Sequence, residues 1–223
     1  MSRELVILDL DGVVVKGQSQ QTLLKYLKKE KIINFPSFVK IYVWFILYKL
    51  GFAKDPKEIM VYAFRFLKDR TIEEVEAIMD DFFIKSLKKT IFSGAVQMIN
   101  DHLQSGREII VVSNAAEFIV KKICSFLEVG NFLGTQIELN GNRYTGRMAA
   151  GANYGEGKMK RLLDFIEHGN FDMSKSLAYS DHISDLPMLN LAAQPVAVNP
   201  DKALKRLAKT KHWPILIFKD QLK

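Results

Sequence analysis

Glu4-Leu-Val-Ile-Leu-Asp-Leu-Asp-Gly-Val13 decides how the rest of the chain is read. Its apolar, partly β-branched run has the pattern of a buried strand, and the glycine after it marks a turn. Asp9 and Asp11 stand two positions apart where that run ends, so they face the same way. An ionised carboxylate continuing a buried strand is costly unless a cation or hydrogen-bond donors meet it. Asp9 therefore reads as a chemical group and not a structural one.

The 223 residues, 48% of them hydrophobic, suffice for one large domain or for a core with an inserted subdomain, and exclude a disordered tail. The single cysteine, Cys124, leaves no internal disulfide and, mid-helix, reads as a small buried apolar residue. The first apolar run ends in aspartates and lacks a signal pattern, so a cytoplasmic location is expected, peripheral at the inner face of a membrane if the helix described below touches lipid. The formal charge of +7 is concentrated: residues 16–54 hold eight lysines against Glu30 alone. That charge accompanies aliphatic bulk more than stacking aromatics, so no nucleic-acid partner is expected.

From about residue 16 to 90 the pattern is helical without strand-like alternation. Leu23, Leu24 and Leu27 share one face of Gln20 to Lys31, Asp55-Pro56 is a helix start, and Thr71-Ile-Glu-Glu74 is a capping box. Within this segment, Ile41-Tyr-Val-Trp-Phe-Ile-Leu-Tyr48 makes residues 38–52 apolar all round, which implies burial on all sides, an oligomer contact or lipid. The run is too short to span a bilayer, which takes about 20 apolar residues. Tyr42, Trp44 and Tyr48 beside many lysines favour peripheral contact with anionic membrane.

After residue 91 strands and helices alternate, as in a doubly wound α/β sheet. A helix over about Gly94 to Gln104 precedes the strand Glu108-Ile-Ile-Val-Val-Ser113, and a second helix follows to Leu127. Gln136 to Thr145 reads as a hairpin turning at Asn140-Gly141. Tyr154-Gly-Glu-Gly-Lys158 opens a helix to about His168, Ser176 to Ser180 and Pro195 to Val198 are strands, and Ile215 to Phe218 is an edge strand. The expected organisation is thus an α/β core of residues 1–15 and 91–223 with a helical insertion of 16–90.

Ligands of such sheets sit outside the carboxyl ends of the strands. Asp9 and Asp11, Ser113 and Asn114, Lys158, and Asp181 with Asp185 all occupy positions of that kind. Carboxylates gathered there repel each other without a cation, and oxygen-only ligands point to a hard metal, Mg²⁺ before others. A lysine, a hydroxyl and main-chain amides at a helix start provide for an anion. Metal plus anion cradle implies phosphate.

Asp-Leu-Asp-Gly-Val at the first strand, Val-Val-Ser-Asn at the second, the later Lys158 and Ser-Asp-His-Ile-Ser-Asp at the last resemble the four motifs of the haloacid dehalogenase superfamily of phosphatases. The insertion lies where that family carries its C1 cap. Tyr179 to Met188 with Ala197-Val-Asn-Pro-Asp201 is similar to the phosphoserine-phosphatase-like IB branch, and the resemblance spans nearly the whole chain. It implies a Mg²⁺-dependent phosphomonoester hydrolase working through an aspartyl-phosphate: Asp9 the nucleophile, Asp11 the general acid and base, Ser113, Asn114 and Lys158 on the phosphoryl oxygens. The metal would be held by Asp9, the main-chain carbonyl of Asp11 and Asp181, with Asp185 in support. A phosphoacceptor signalling domain uses similar groups, but the long insertion and the final acidic pair speak against it.

Lys160 and Arg161 compete with Lys158 for its role, His182 reads as a rim residue, and Asn199 and Asp201 as loop brace and helix cap. Ser180 replaces a frequent glycine of the fourth motif. Gln18 stands where phosphoserine phosphatases carry a glutamate for the substrate amine, and a neutral amide pairs poorly with an ammonium. The expected substrate is therefore an amphiphilic or lipid-derived phosphate ester, with a small soluble metabolite as the alternative and phosphoserine disfavoured.

Overall fold

The structure, a computed structural model, describes residues 3–49, 62–149 and 156–222. Asp55-Pro56, residues 50–52 and Tyr154-Gly155, all singled out from the sequence, lie outside the described residues. The strands are β1 (Arg3–Leu8), β2 (Glu108–Ala116), β3 (Asn131–Thr135), β4 (Ile137–Asn140), β5 (Arg143–Met148), β6 (Phe171–Ser180), β7 (Gln194–Val198) and β8 (Ile215–Leu216). Six form one sheet in the order β3-β2-β1-β6-β7-β8, with each pairing parallel. The helices are α1 (Ser19–Lys29), α2 (Phe35–Lys49), α3 (Ile72–Phe82), α4 (Ser93–Gln104), α5 (Glu117–Phe126), α6 (Glu156–Gly169), α7 (Leu186–Leu189) and α8 (Lys202–Thr210).

Period-two alternation along β1 explains why the sheet is covered on both faces. Val6 and Leu8 pack with Ile99 of α4 and Ile119 and Ile123 of α5, whereas Leu5 and Ile7 pack with Leu162 of α6, Met188 of α7 and Leu204 of α8. The doubly wound α/β core expected from the sequence is present. Cys124 is fully buried in the first of these clusters.

Leu23, Tyr26 and Leu27 of α1 and Val75, Met79 and Phe82 of α3 join the same cluster as Val6 and Leu8, so the inserted helices share their apolar core with the sheet. Thr71 forms the expected capping box: its hydroxyl accepts from Glu74 N, and the Glu74 carboxylate accepts from Thr71 N. The hairpin β4–β5 ties the insertion to the core through Asp69 N to Tyr144 O at 2.9 Å, Tyr144 N to Arg70 O at 2.9 Å and Ile72 N to Asn142 O at 3.0 Å.

Two expectations need correction. The hairpin turns at Gly141-Asn142, one residue later than Asn140-Gly141, because Asn140 pairs with Arg143 and Gly141 takes φ +60°, the glycine-first arrangement of a two-residue turn. Strand β3 was not expected at all, since Asn131-Phe-Leu-Gly-Thr135 is a short edge segment interrupted by glycine. Gly134 is needed there: a Cβ would lie 2.4 Å from Glu117 Cα, where β3 passes the start of α5.

Helix α2 settles part of its ambiguity. Ile41 is buried against Leu24 with Phe38, Tyr42, Trp44 and Phe45 packed around them, while Phe35, Val39, Val43, Ile46 and Leu47 stay exposed. No helix among the described residues is long and apolar enough to cross a membrane.

Candidate active site

Strand order reverses between β1 and β6, the switch point at which α/β sheets open a crevice. Asp9 follows β1 and donates its N–H to Tyr179 O of β6 at 3.0 Å; Asp181 follows β6. Carboxylate oxygens of Asp9, Asp181 and Asp185 all lie within 4.8 Å of one another. Their closeness depends on Gly12, at φ +83°, where a Cβ would fall 2.0 Å from Asp181 Oδ2. The Asn199 side chain fixes that loop by donating Nδ2–H to Gly12 O at 3.0 Å, and Asp201 caps α8 by accepting from Leu204 N at 2.7 Å.

Lys158 is 5% exposed and donates to Asp9 Oδ1 and to Asp185 Oδ1, both at 3.1 Å. Its rivals are placed elsewhere: Lys160 is exposed, and Arg161 pairs with Glu117 at 3.3 Å and donates to Gly134 O at 2.7 Å. Ser180, in the glycine position, donates to Asp185 Oδ2 at 2.8 Å, so both oxygens of Asp185 are held. His182 is exposed on the rim and hydrogen-bonds Ser184.

Ser113 is buried near the end of β2, its Oγ accepting from Ala115 N at 3.0 Å. The side chain of Asn114 is exposed, and its carbonyl accepts from Thr135 Oγ1 at 2.8 Å and from Gln20 Nε2 at 3.0 Å. Neither partner was expected from the sequence: both contacts are long-range and leave no local pattern. Gln18 is exposed and precedes α1 without a side-chain cap bond. Ser19 N donates to Asp11 Oδ1 at 2.8 Å. Ser19 Oγ is buried without hydrogen-bond geometry to any partner, yet lies close enough to Asp11 to favour its ionised form.

Burial dominates the electrostatics. It pushes Asp9 up to about 7, with Lys158 opposing and Asp185 and Asp11 adding to the rise. Burial, then the charges of Asp9, Asp185 and Asp11, pushes Asp181 up to about 8. Asp11 reaches about 6, burial outweighing the Ser19 N–H. For Lys158 burial works against the charge, but Asp9 and Asp185 more than offset it and the pKa lies above the ordinary lysine value. The Lys158 ammonium thus pairs with two of the four carboxylates, Asp9 and Asp185, and no lysine or arginine among the described residues pairs with Asp181. An all-oxygen donor set with uncompensated negative charge fits a hard divalent cation. A buried pair such as Lys158–Asp9 adds little net stability for its desolvation cost, which points to chemistry as the reason for its presence.

The family model described as haloacid dehalogenase-like hydrolase matches residues 6–190. Over 221 residues the chain is 30% identical to the histidinol-phosphatase of Neisseria meningitidis serogroup C (strain 8013), with 97% of this chain and 100% of that one covered. Among solved structures, a protein of unknown function from Bordetella pertussis Tohama I superposes with TM-score 0.86 at 21% identity, over 97% of this chain and 99% of that one. A phosphoserine phosphatase solved as a phospho-aspartyl intermediate analogue gives TM-score 0.66 at 19% identity, over 99% and 96%. At such identities the structural likeness speaks for the fold.

Proposed function

The chain belongs to the family of haloacid dehalogenase-like hydrolases and is a phosphoric monoester hydrolase; from that premise we propose that it requires Mg²⁺ and forms an aspartyl-phosphate on Asp9. One arrangement carries the proposal: the three carboxylates at the switch point, with Lys158 bridging two of them. Asp9, the main-chain carbonyl of Asp11 and Asp181 would hold Mg²⁺, with Asp185 behind them. The ion supplies charge neutralisation on the phosphoryl oxygens.

The Asp9 carboxylate attacks phosphorus, and the P–O bond to the alcohol breaks as Asp11 gives its proton to the departing oxygen. Ser113, the Asn114 amide and Lys158 hold the phosphoryl oxygens and offset their charge in the transition state. Asp11 then takes a proton from water, whose oxygen attacks phosphorus and releases phosphate and Asp9. With its pKa raised to about 6, Asp11 serves as acid in the first step and base in the second near neutral pH. The test is turnover on p-nitrophenyl phosphate: many equivalents of nitrophenol in Mg²⁺ and none in EDTA. A single equivalent of phosphate retained on the protein would instead mark a phosphoacceptor domain.

Residues 16–90 act as the cap that closes over this site and selects substrate, and residues 1–15 and 91–223 as the catalytic core. The name of the Neisseria relative supports a small soluble metabolite. The outward stripe of α2 supports an amphiphilic or lipid-derived ester met at an anionic membrane: Phe35, Val39, Val43, Ile46 and Leu47 are exposed, with Lys25, Lys28 and Lys40 exposed on α1 and α2. Sedimentation with vesicles containing anionic lipid should then show binding that weakens with salt and is lost in a Val43→Glu, Ile46→Glu double variant. Absence of binding at low salt would leave the soluble metabolite.

A further inference from the structure

His102 is the one buried histidine among the described residues, and the chemistry proposed above does not use it. It sits in the last turn of α4, whose Ile99 shares a cluster with Val6, Leu8 and Tyr179. Its Nε2 lies 2.8 Å from Tyr179 Oη and its Nδ1 3.1 Å from a guanidinium nitrogen of Arg107. A guanidinium only donates, so Nδ1 accepts and Nε2 carries the proton that it gives to Tyr179. Burial, then the Arg107 charge, holds the imidazole below the ordinary histidine pKa against the opposing charge of Asp101, in keeping with that neutral form. Arg107 is itself fixed twice, its N–H donating to His102 O at 3.1 Å and its Nε to Glu4 Oε2 of β1 at 2.9 Å.

We infer that His102 is a positioning residue: braced by Arg107, it holds Tyr179 so that Asp9 and Asp181 keep the spacing that one ion and one phosphoryl group require. This rests on the Mg²⁺-dependent phosphatase function proposed above. Tyr179 is the residue whose carbonyl accepts Asp9 N–H at 3.0 Å, and Asp181 follows two residues later.

Strand register explains why such a brace is needed. Arg3 and Glu4 pair with Phe171 and Asp172, but Val6 pairs with Leu177. Five steps along β6 against two along β1 leave three residues of β6 looped out, so the pairing at its catalytic end is not inherited from its start. One residue more or fewer in that bulge would put Ala178 or Ser180 opposite Leu8 in place of Tyr179, and carry Asp181 ~3.3 Å along the strand. The Glu4–Arg107–His102–Tyr179 chain ties the two sides of the bulge together. Glu4 stands before it on β1 and faces Lys175 within it at 3.8 Å, and Tyr179 stands beyond it. A buried polar chain whose members are satisfied rigidifies and specifies one arrangement.

The experiment uses the full chain and four variants: Tyr179→Phe, His102→Leu, His102→Gln and Arg107→Gln. Residues that orient a metal's ligands typically carry 10–100-fold in affinity or activity, so Tyr179→Phe and His102→Leu should raise the calorimetric Kd for Mg²⁺ and lower kcat roughly tenfold each, with KM for p-nitrophenyl phosphate within about twofold. His102→Gln, whose amide still donates towards Tyr179, should recover both to within about threefold of wild type. Without metal, the Asp9 amide should exchange with deuterium roughly tenfold faster in Tyr179→Phe relative to Ile7 on the same strand, read by NMR. Should His102→Leu fail to fold, Tyr179→Phe, which loses one oxygen, and Arg107→Gln, at a half-exposed position, still give the same readings, smaller in Arg107→Gln. A lowered Tm with wild-type Kd, kcat and Asp9 exchange makes the pair plain packing, and the inference fails. No Mg²⁺ binding to the wild-type chain would overturn the function proposed above, and the Asp9 exchange alone would then decide whether His102 positions that strand end.

Discussion

Asp9→Asn should lower Mg²⁺-dependent phosphate release by roughly three orders of magnitude or more while leaving the fold in place, as loss of a nucleophile does when only binding and electrostatic stabilisation remain. An amide oxygen is too weak a nucleophile to form the acyl phosphate, and the replacement keeps the size of the side chain. Stability should hold because Lys158 retains Asp185 at 3.1 Å as its partner. A buried carboxylate crowded by Asp185 and Asp11 also disappears, so Tm should stay or rise. Phosphate release and a thermal melt on the same preparations check both halves. Wild-type turnover in Asp9→Asn would remove Asp9 as nucleophile, and an unfolded variant would show that the buried pair is structural.

What the sequence makes legible is what stops a strand. Asp9, Ser113 and Asp181 interrupt or follow apolar runs, and in a parallel sheet those interruptions fall at one end, so a linear pattern already places them together. Contacts made across the molecule have no such trace. Gln20 reaches Asn114 across 94 residues, and Ser180 turns a position that commonly needs no side chain into a clamp on Asp185. Gln18 shows the limit from the other side: its spacing from Asp9 marks it out, but spacing carries no sign that the next residue, Ser19, is the one whose N–H holds Asp11. Helix α2 fails for a different reason. An all-round apolar run says that something must cover it, but not that Leu24 and Ile33 cover one face while five apolar residues point outward.

Magnesium should stabilise the chain strongly at pH 8 and little at pH 5.5. Asp9, Asp11 and Asp181 have pKa values raised from 3.8 to about 7, 6 and 8 by burial. Between roughly pH 4 and 8 the folded chain then binds more protons than the unfolded one, so in EDTA its stability falls as pH rises through that window. A divalent cation needs the ionised carboxylates and competes with those protons, so its contribution grows as they leave. At a hundredfold excess over Kd a ligand adds about 2.7 kcal/mol, and at ~2–4 °C per kcal/mol for a chain of this size that is about 5–10 °C in Tm at pH 8. Scanning calorimetry in EDTA and in excess MgCl₂ at the two pH values measures the difference. Asp181→Asn should shrink both the metal increment and the slope in EDTA, because it removes the carboxylate with the highest pKa of the three. An equal metal increment at both pH values would mean that the ion binds away from these carboxylates, and the assignment of the site to Mg²⁺ would fall.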